Sequence, residues 1–137
     1  MSEQLNWSFT VQVVGGPTLA ASGKQVVDAY NKSQVVVPAS SNGTAGSIEL
    51  TLDTTGASIL IVRASRYVDP DTPANRLQYA VTVEGTTADP VDLTGPLVLI
   101  GESAVRLLGD PVASLTFTNP IASDITIDTL VGVDATP

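Results

Sequence analysis

Apolar and polar side chains alternate with a period of two through most of the chain, as they do in half-buried β-strands. The alternation is clearest near the start, where one phase holds Leu5, Trp7, Phe9, Val11 and Val13. Residues 15–17, Gly-Gly-Pro, end this segment, because glycine permits positive φ and proline cannot donate to a sheet ladder. The pattern predicts a long half-buried first strand.

Further short strands separated by turn signals are predicted along the rest of the chain. They cover residues 25–30, 34–37, 48–52, 58–62, 77–83, 97–100, 103–108, 115–117 and 125–127. Segment 58–62 has no polar face over its last four residues, which predicts a central strand buried on both sides. Residues 31–33 are interpreted as a tight turn, and residues 39–46 as a polar loop that is mobile or ordered by a partner.

About ten short strands without helical periodicity predict an all-β fold, a single-domain β-sandwich or jelly-roll-like structure. Residues 1–137 form the domain, with a short flexible amino-terminal arm at residues 1–4. The predicted core takes the large apolar residues from the inward phase of each strand. These are Trp7, Phe9, Val11, Leu50, Leu52, Leu60, Val81 and Phe117.

Composition excludes several classes of function. The chain has 137 residues, no Cys and no His, so it cannot build a thiol nucleophile, a Ser-His-Asp triad or an imidazole metal site on its own. Its formal charge of -8 disfavours binding to nucleic acid and to anionic membranes. The amino terminus lacks the pattern of a signal peptide, and no apolar run is long enough to span a bilayer.

Residues 50–58, Leu-Thr-Leu-Asp-Thr-Thr-Gly-Ala-Ser, resemble the apolar-Asp-Thr-Gly-Ala signature of retropepsin-type aspartic proteases, and residues 97–101 are similar to a later element of that family. The resemblance implies that Asp53 is a catalytic carboxylate shared across a homodimer. An extra residue, Thr55, separates Asp-Thr from the glycine. A hairpin turn in which Gly56 takes positive φ explains the same residues. We therefore expect a turn here and no hydrolytic activity.

Two binding alternatives rest on other side chains. Asp69, Asp71, Asp89 and Asp92 offer hard oxygen ligands for Ca²⁺ if their two loops meet, although no calcium-binding motif is present. Carbohydrate binding requires exposed aromatic platforms, and we expect most of the aromatic residues to face inward. No metal ligand, cofactor-binding residue or catalytic residue is therefore predicted.

Positive charge is concentrated in one region, at Arg63, Arg66 and Arg76, with Tyr67 beside them. A self-complementary assembly would place this region against an acidic surface of a neighbouring subunit. Ordinary solvated strand ends with weak ion pairs explain the same pattern. Both interpretations stay open.

The strands and turns from Gly95-Pro96 and residues 97–100 to residues 115–120, Leu-Thr-Phe-Thr-Asn-Pro, belong to an acidic chain rich in Val and Thr. In this character the chain resembles the small β-sandwich structural proteins of tailed bacteriophages, which include head decoration (cement) proteins and tail or baseplate subunits.

The resemblance implies a non-enzymatic virion protein, assembled in the host cytoplasm, that stabilises a capsid or tail lattice as a homotrimer. Its partners would be itself and that larger assembly, with no nucleic acid, membrane or cofactor. An adhesin or carbohydrate-binding module and a retropepsin-like protease are the alternatives.

Overall fold

The computed structural model describes residues 3–134, which are 58% strand and 4% helix. This confirms the all-β class. The strands are β1 (Glu3–Gln12), β2 (Thr18–Val27), β3 (Ala29–Val37), β4 (Gly46–Thr51), β5 (Ala57–Ala64), β6 (Gln78–Val83), β7 (Thr86–Thr87), β8 (Val91–Asp92), β9 (Leu97–Ile100), β10 (Ser114–Asn119) and β11 (Ile125–Val133); one helix, α1 (Glu102–Arg106), is described.

The strands form three antiparallel sheets. A four-stranded sheet has the order β3-β11-β5-β9, and a five-stranded sheet has the order β4-β10-β6-β7, with β8 also pairing with β6. β1 and β2 pair only with each other and form a two-stranded ribbon. The predicted central position of residues 58–62 is confirmed, because β5 lies between β11 and β9. Burial on both sides is incomplete, since Ile61 is half-buried.

One buried apolar cluster takes residues from both larger sheets, as expected for two sheets packed face to face. Its fully buried members include Leu60 and Ile127 from the four-stranded sheet, and Leu115 and Phe117 from the five-stranded sheet. Val105 of α1 joins the same cluster. The core therefore combines side chains from both larger sheets, and α1 contributes one side chain to it.

Three of the eight predicted core residues, all on β1, lie outside the core. Leu50, Leu52, Leu60 and Phe117 are buried, and Val81 is partly buried against them. The three residues predicted from β1 are not in the core: Trp7 is half-buried, Phe9 is 44% exposed and Val11 is 58% exposed. The alternation in β1 is real, but within residues 3–134 β1 pairs with β2 alone, and its apolar side meets a larger sheet at its base, near Leu5.

Two other local predictions fail. Residues 31–33 are not a turn, because β3 runs straight through them and the chain bends instead at Asp28, between β2 and β3. Residues 103–108 are not a strand: Gly101 has a φ of 99° and its carbonyl accepts hydrogen bonds from the backbone N–H groups of Ala104 and Val105, which begins α1. A helix of five residues is too short for its period to be visible in the sequence.

Both segments that were predicted to be flexible contain residues with regular backbone pairing. In the loop at residues 39–46, Ser41 and Thr44 form an isolated bridge, and β4 begins at Gly46. Glu3 and Gln4 of the predicted amino-terminal arm belong to β1, while residues 1 and 2 lie outside the described residues.

Asn119 closes the connection between β10 and β11. Its side-chain amide donates to the carbonyl oxygens of Val37, Pro38 and Ser123, at 3.3, 3.1 and 2.8 Å, and its Oδ1 accepts from the Ile121 backbone N–H at 2.8 Å. The side chain is completely buried. A buried amide with these partners ties the β10–β11 connection to the end of β3.

The two phenylalanines of the chain offer a matched test of where the core lies. Phe117→Ala is expected to lower the free energy of unfolding by about 3–5 kcal/mol, because the side chain is fully buried. Phe9→Ala should lower it by less than about 1 kcal/mol, since this ring is largely outside the core. Urea denaturation at neutral pH measures both. Equal losses for the two variants would contradict this placement of the core.

Candidate interaction surface

Most residues of the β1–β2 ribbon are exposed. Its strands pair over ten positions, from Glu3 opposite Val27 at the base to Gln12 opposite Thr18 at the tip. At the tip, the Val13 N–H donates to the Pro17 carbonyl at 3.1 Å, and Gly15 takes a φ of 73°. The loop at residues 13–17 thus closes the hairpin through its backbone.

The ribbon has one apolar face and one polar face, because residues directly opposite each other in an antiparallel pair point to the same side. The apolar face consists of Leu5, Trp7, Phe9, Val11, Leu19, Ala21 and Gly23, and Gln25 and Glu3 lie on the same side at the base. The opposite face, called the polar face, carries Gln4, Asn6, Ser8, Thr10, Gln12, Thr18, Ser22 and Lys24, together with Ala20 and Val26. Val11 and Leu19 form a cross-strand pair on the apolar face and are 58% and 65% exposed.

Trp7 organises the middle of the apolar face. Its ring lies over Gly23, where an added Cβ would come within 2.7 Å of the Trp7 Cζ2, so a side chain at position 23 would displace the indole. Phe9 stacks on Trp7 with ring centroids 6.1 Å apart. Among the described residues, the covered indole N–H has no hydrogen-bond partner. The two rings therefore pack against each other and do not belong to the main core cluster.

The base of the ribbon rests on the outer face of the four-stranded sheet, the face turned away from the core. Gly132 of β11 makes room for it: a Cβ at this position would lie 2.7 Å from Ile59 Cγ2, 2.9 Å from Leu5 Cδ1 and 3.1 Å from Val27 Cγ1. Ile59 and Val27 are almost fully buried by this contact, although neither belongs to the main core cluster. The apolar face of the ribbon is thus already in contact with this sheet at its base.

An apolar band continues across the outer sheet face from that contact. In the register of the sheet, Leu130, Ile61 and Val98 lie side by side on β11, β5 and β9. Leu130 and Ile61 are half-buried, and Val98 is 49% exposed. We call these three residues the outer band.

A polar row borders the outer band. Asp128 of β11 accepts a hydrogen bond from Gln34 at 2.8 Å and forms a salt bridge with Arg63 at 2.9 Å. The hydrogen bond from Arg63, followed by that from Gln34, holds the pKa of Asp128 below its ordinary value. The row links β3, β11 and β5 across the outer sheet face.

Asp53 forms a turn, as expected. Its Oδ1 accepts a hydrogen bond from the Thr55 backbone N–H at 2.9 Å, and Gly56 takes a φ of 71°. Hydrogen bonds from the Thr55 hydroxyl and backbone N–H lower the pKa of Asp53.

The two loops proposed for Ca²⁺ do not form a metal site. Asp69 Oδ1 accepts from the Asp71 backbone N–H at 2.9 Å, and Asp92 is held by Gln78 at 3.1 Å and by Arg76 at 3.9 Å. Within residues 3–134, no group of three or more acidic residues could hold a metal ion. The predicted calcium alternative therefore has no support from the described residues.

The predicted basic region is divided among separate local contacts. Arg63 pairs with Asp128, and Arg76 lies near Asp92. The Tyr67 hydroxyl oxygen accepts a hydrogen bond from the Ala64 backbone N–H at 3.0 Å. Arg66 is exposed. The exposed ion pairs of Arg63 and Arg76 match the interpretation of this region as solvated strand ends with weak ion pairs.

The aromatic residues are less inward-facing than expected. Phe9 is 44% and Tyr30 is 52% exposed, whereas Phe117 is completely buried. The sequence patterns did not predict that β1 and β2 form an exposed ribbon. The available signal was the absence of any charged residue in 4–23, which is unusual for exposed strands.

Comparisons with protein-family models, with characterised proteins and with solved structures find no match to this chain. The helix described among residues 3–134 is far too short to cross a membrane. The surfaces above are therefore interpreted from their own chemistry.

Gly132 gives a test of the contact between ribbon and sheet. Gly132→Ala is expected to lower the free energy of unfolding by about 1–3 kcal/mol, because the new Cβ would crowd three tightly packed apolar side chains. Gly95→Ala is the matched control, since a Cβ at Gly95 would meet nothing within 4 Å. Thermal and urea denaturation measure both variants. Unchanged stability of Gly132→Ala would place the ribbon base away from this sheet.

The polar row predicts a specific pH dependence. The pKa of Asp128 is lower in the folded chain than the roughly 3.9 expected when unfolded, so the charged carboxylate stabilises the fold above that pH. This contribution is lost as the pH falls through the lowered folded value. The stability difference between the wild-type chain and Asp128→Asn should be constant above about pH 5 and shrink below about pH 4.

Urea denaturation at a series of pH values measures this difference. Asp89→Asn is the control, because the Asp89 side chain is exposed and forms no hydrogen bond or ion pair with the described residues. A difference for Asp128→Asn that does not change with pH would contradict the assignment.

Proposed function

We propose that this chain is a non-enzymatic structural subunit that works as a homo-oligomer within a larger protein assembly. The observation that carries the proposal is the apolar face of the ribbon, where Phe9, Val11 and Leu19 are 44–65% exposed. Soluble chains rarely leave a contiguous apolar strip of this kind uncovered. A partner surface is the ordinary means of covering it.

The free strand edges support the same proposal. β1 and β2 each pair on one side only, so the ribbon presents two rows of backbone N–H and C=O groups along its length. Residues 4–23 contain no charged side chain to block association along these edges. Natural sheets usually protect an exposed edge with lysine, proline or a bulge. An unprotected ribbon favours a role in assembly.

The charge distribution suits a subunit rather than an enzyme. Charged residues are 15% of the chain, against a typical value of about 25%. Within residues 3–134, the two carboxyl groups with lowered pKa, Asp53 and Asp128, belong to a turn and to a strand–strand contact. Neither arrangement prepares a general acid or base.

The identity of the assembly rests on the resemblance to bacteriophage β-sandwich proteins. We propose the virion as its location, with the chain decorating and stabilising a capsid or tail lattice as a homotrimer. The acidic, Val- and Thr-rich composition and the all-β fold are the features that support this choice.

Sedimentation velocity over a range of concentrations tests the proposal. The chain is expected to be oligomeric at tens of micromolar. The double variant Val11→Ser and Leu19→Ser, a cross-strand pair on the apolar face, should weaken self-association by at least about tenfold, because buried apolar area is lost.

The matched control is Thr10→Ser with Ala20→Ser, the neighbouring cross-strand pair on the opposite face, which should leave association unchanged. A wild-type chain that stays monomeric throughout the concentration range would contradict the proposed function. Peptide cleavage at acid pH that is abolished by Asp53→Asn would also contradict it.

A further inference from the structure

We propose that the apolar face of the ribbon docks on the outer band of a second copy of this chain. This inference rests on the proposed function and names the two surfaces that meet: Phe9, Val11 and Leu19 on one copy, and Leu130, Ile61 and Val98 on the other.

The base of the ribbon shows that the two surfaces are compatible. Leu5 and Val27 already pack on the outer face of their own sheet around Gly132 and bury Ile59 there. Beyond this base, Phe9 and Val11 are 44% and 58% exposed, so this part of the ribbon does not cover its own sheet. On β11, Leu130 of the outer band lies two residues from Gly132, on the same face of the sheet. A ribbon from another copy would extend a type of contact that the fold already makes.

Charge favours a second copy as the occupant. Glu3 and Lys24 cancel within the ribbon, so the formal charge of -8 is carried entirely by the rest of the chain. Two such bodies repel each other, but an uncharged ribbon face approaches an acidic body without that cost. The contact is therefore expected to persist at high salt.

The dimensions of the ribbon set the area of the proposed contact. The ribbon above its base is about 26 Å long and about 10 Å wide, from a rise of about 3.3 Å per residue and a strand spacing of about 4.8 Å. One face therefore covers about 260 Å², and each contact buries this face together with an equal area of the sheet. In a closed homotrimer each copy donates one ribbon and receives another, so each contact buries about 520 Å² and the three contacts bury about 1,600 Å² in total.

Strand edges argue against a lipid bilayer as the occupant. The ribbon has two unpaired edges, and the interior of a bilayer offers no hydrogen-bond partners for backbone groups. Its polar face, with Thr10, Gln12 and Lys24, would also have to enter the bilayer or lie against it. A protein surface can bind the apolar face and leave the polar face in water.

Site-specific cross-linking tests the inference, and the absence of native cysteine makes the experiment clean. Val11→Cys and Val98→Cys are made as separate single variants, one with a size tag, and mixed with a short bis-maleimide cross-linker. The expected product is a heterodimer that joins the two variants. Thr10→Cys mixed with Val98→Cys, and Val11→Cys mixed with Asp89→Cys, should give at least about tenfold less product.

The outcomes distinguish failure of the docking inference from failure of the proposed function. Oligomers that form without the Val11–Val98 product, or that give only a product joining two Val11→Cys chains, would overturn the inference and leave the proposed function standing. A chain that is monomeric in sedimentation would remove both. Co-sedimentation of the wild-type chain with phosphatidylcholine vesicles would overturn the choice of occupant in favour of a membrane.

The unique Trp7 gives an independent readout of docking. Its fluorescence emission should shift to shorter wavelength as the protein concentration rises, because docking removes water from the apolar face. Val98→Asp should abolish the shift while circular dichroism stays unchanged, since the substitution lies on the outer band of the partner surface. A concentration-dependent shift that Val98→Asp leaves intact would contradict docking on the outer band.

Discussion

The pairing of β11 between β3 and β5 is the interaction on which the rest of the structure depends. Alternate residues of this strand, from Ile125 to Val131, enter the core, while Asp128 and Leu130 face outward. One strand thus supplies part of the core, the centre of the polar row and a member of the outer band. Gly132 near its end also makes room for the base of the ribbon. Loss of this pairing would separate all four features.

The two faces of the four-stranded sheet have different environments, because the elements within residues 3–134 cover only one of them fully. The five-stranded sheet and α1 bury the inner face. The ribbon reaches the outer face at its base alone, where Leu5 and Val27 meet Ile59. The remaining apolar residues, on the ribbon and on the outer band, therefore stay exposed or half-buried. Our functional proposals follow from this uneven coverage.

Strong local patterns were sufficient where a residue's environment followed from its neighbours in sequence. The apolar run of β5 indicated a central strand, and the Asp-Thr-Thr-Gly sequence indicated the turn that Asp53 forms. Local patterns did not predict the exposure of Trp7, Phe9 and Val11, because their alternation in β1 is as regular as that of buried strands. Alternation defines an apolar face but does not identify what covers it. The candidate surface was therefore absent from the predicted site residues.

The sequence by itself determined the all-β class, the apolar phase of most strands and the absence of thiol and imidazole chemistry. These properties depend on residue type and on the period of two, which are local. Only the tertiary structure decided that β1 and β2 form a separate ribbon, and that Gly132 receives its base. Coverage of a face depends on strand pairing between distant segments, and no local pattern specifies those pairs.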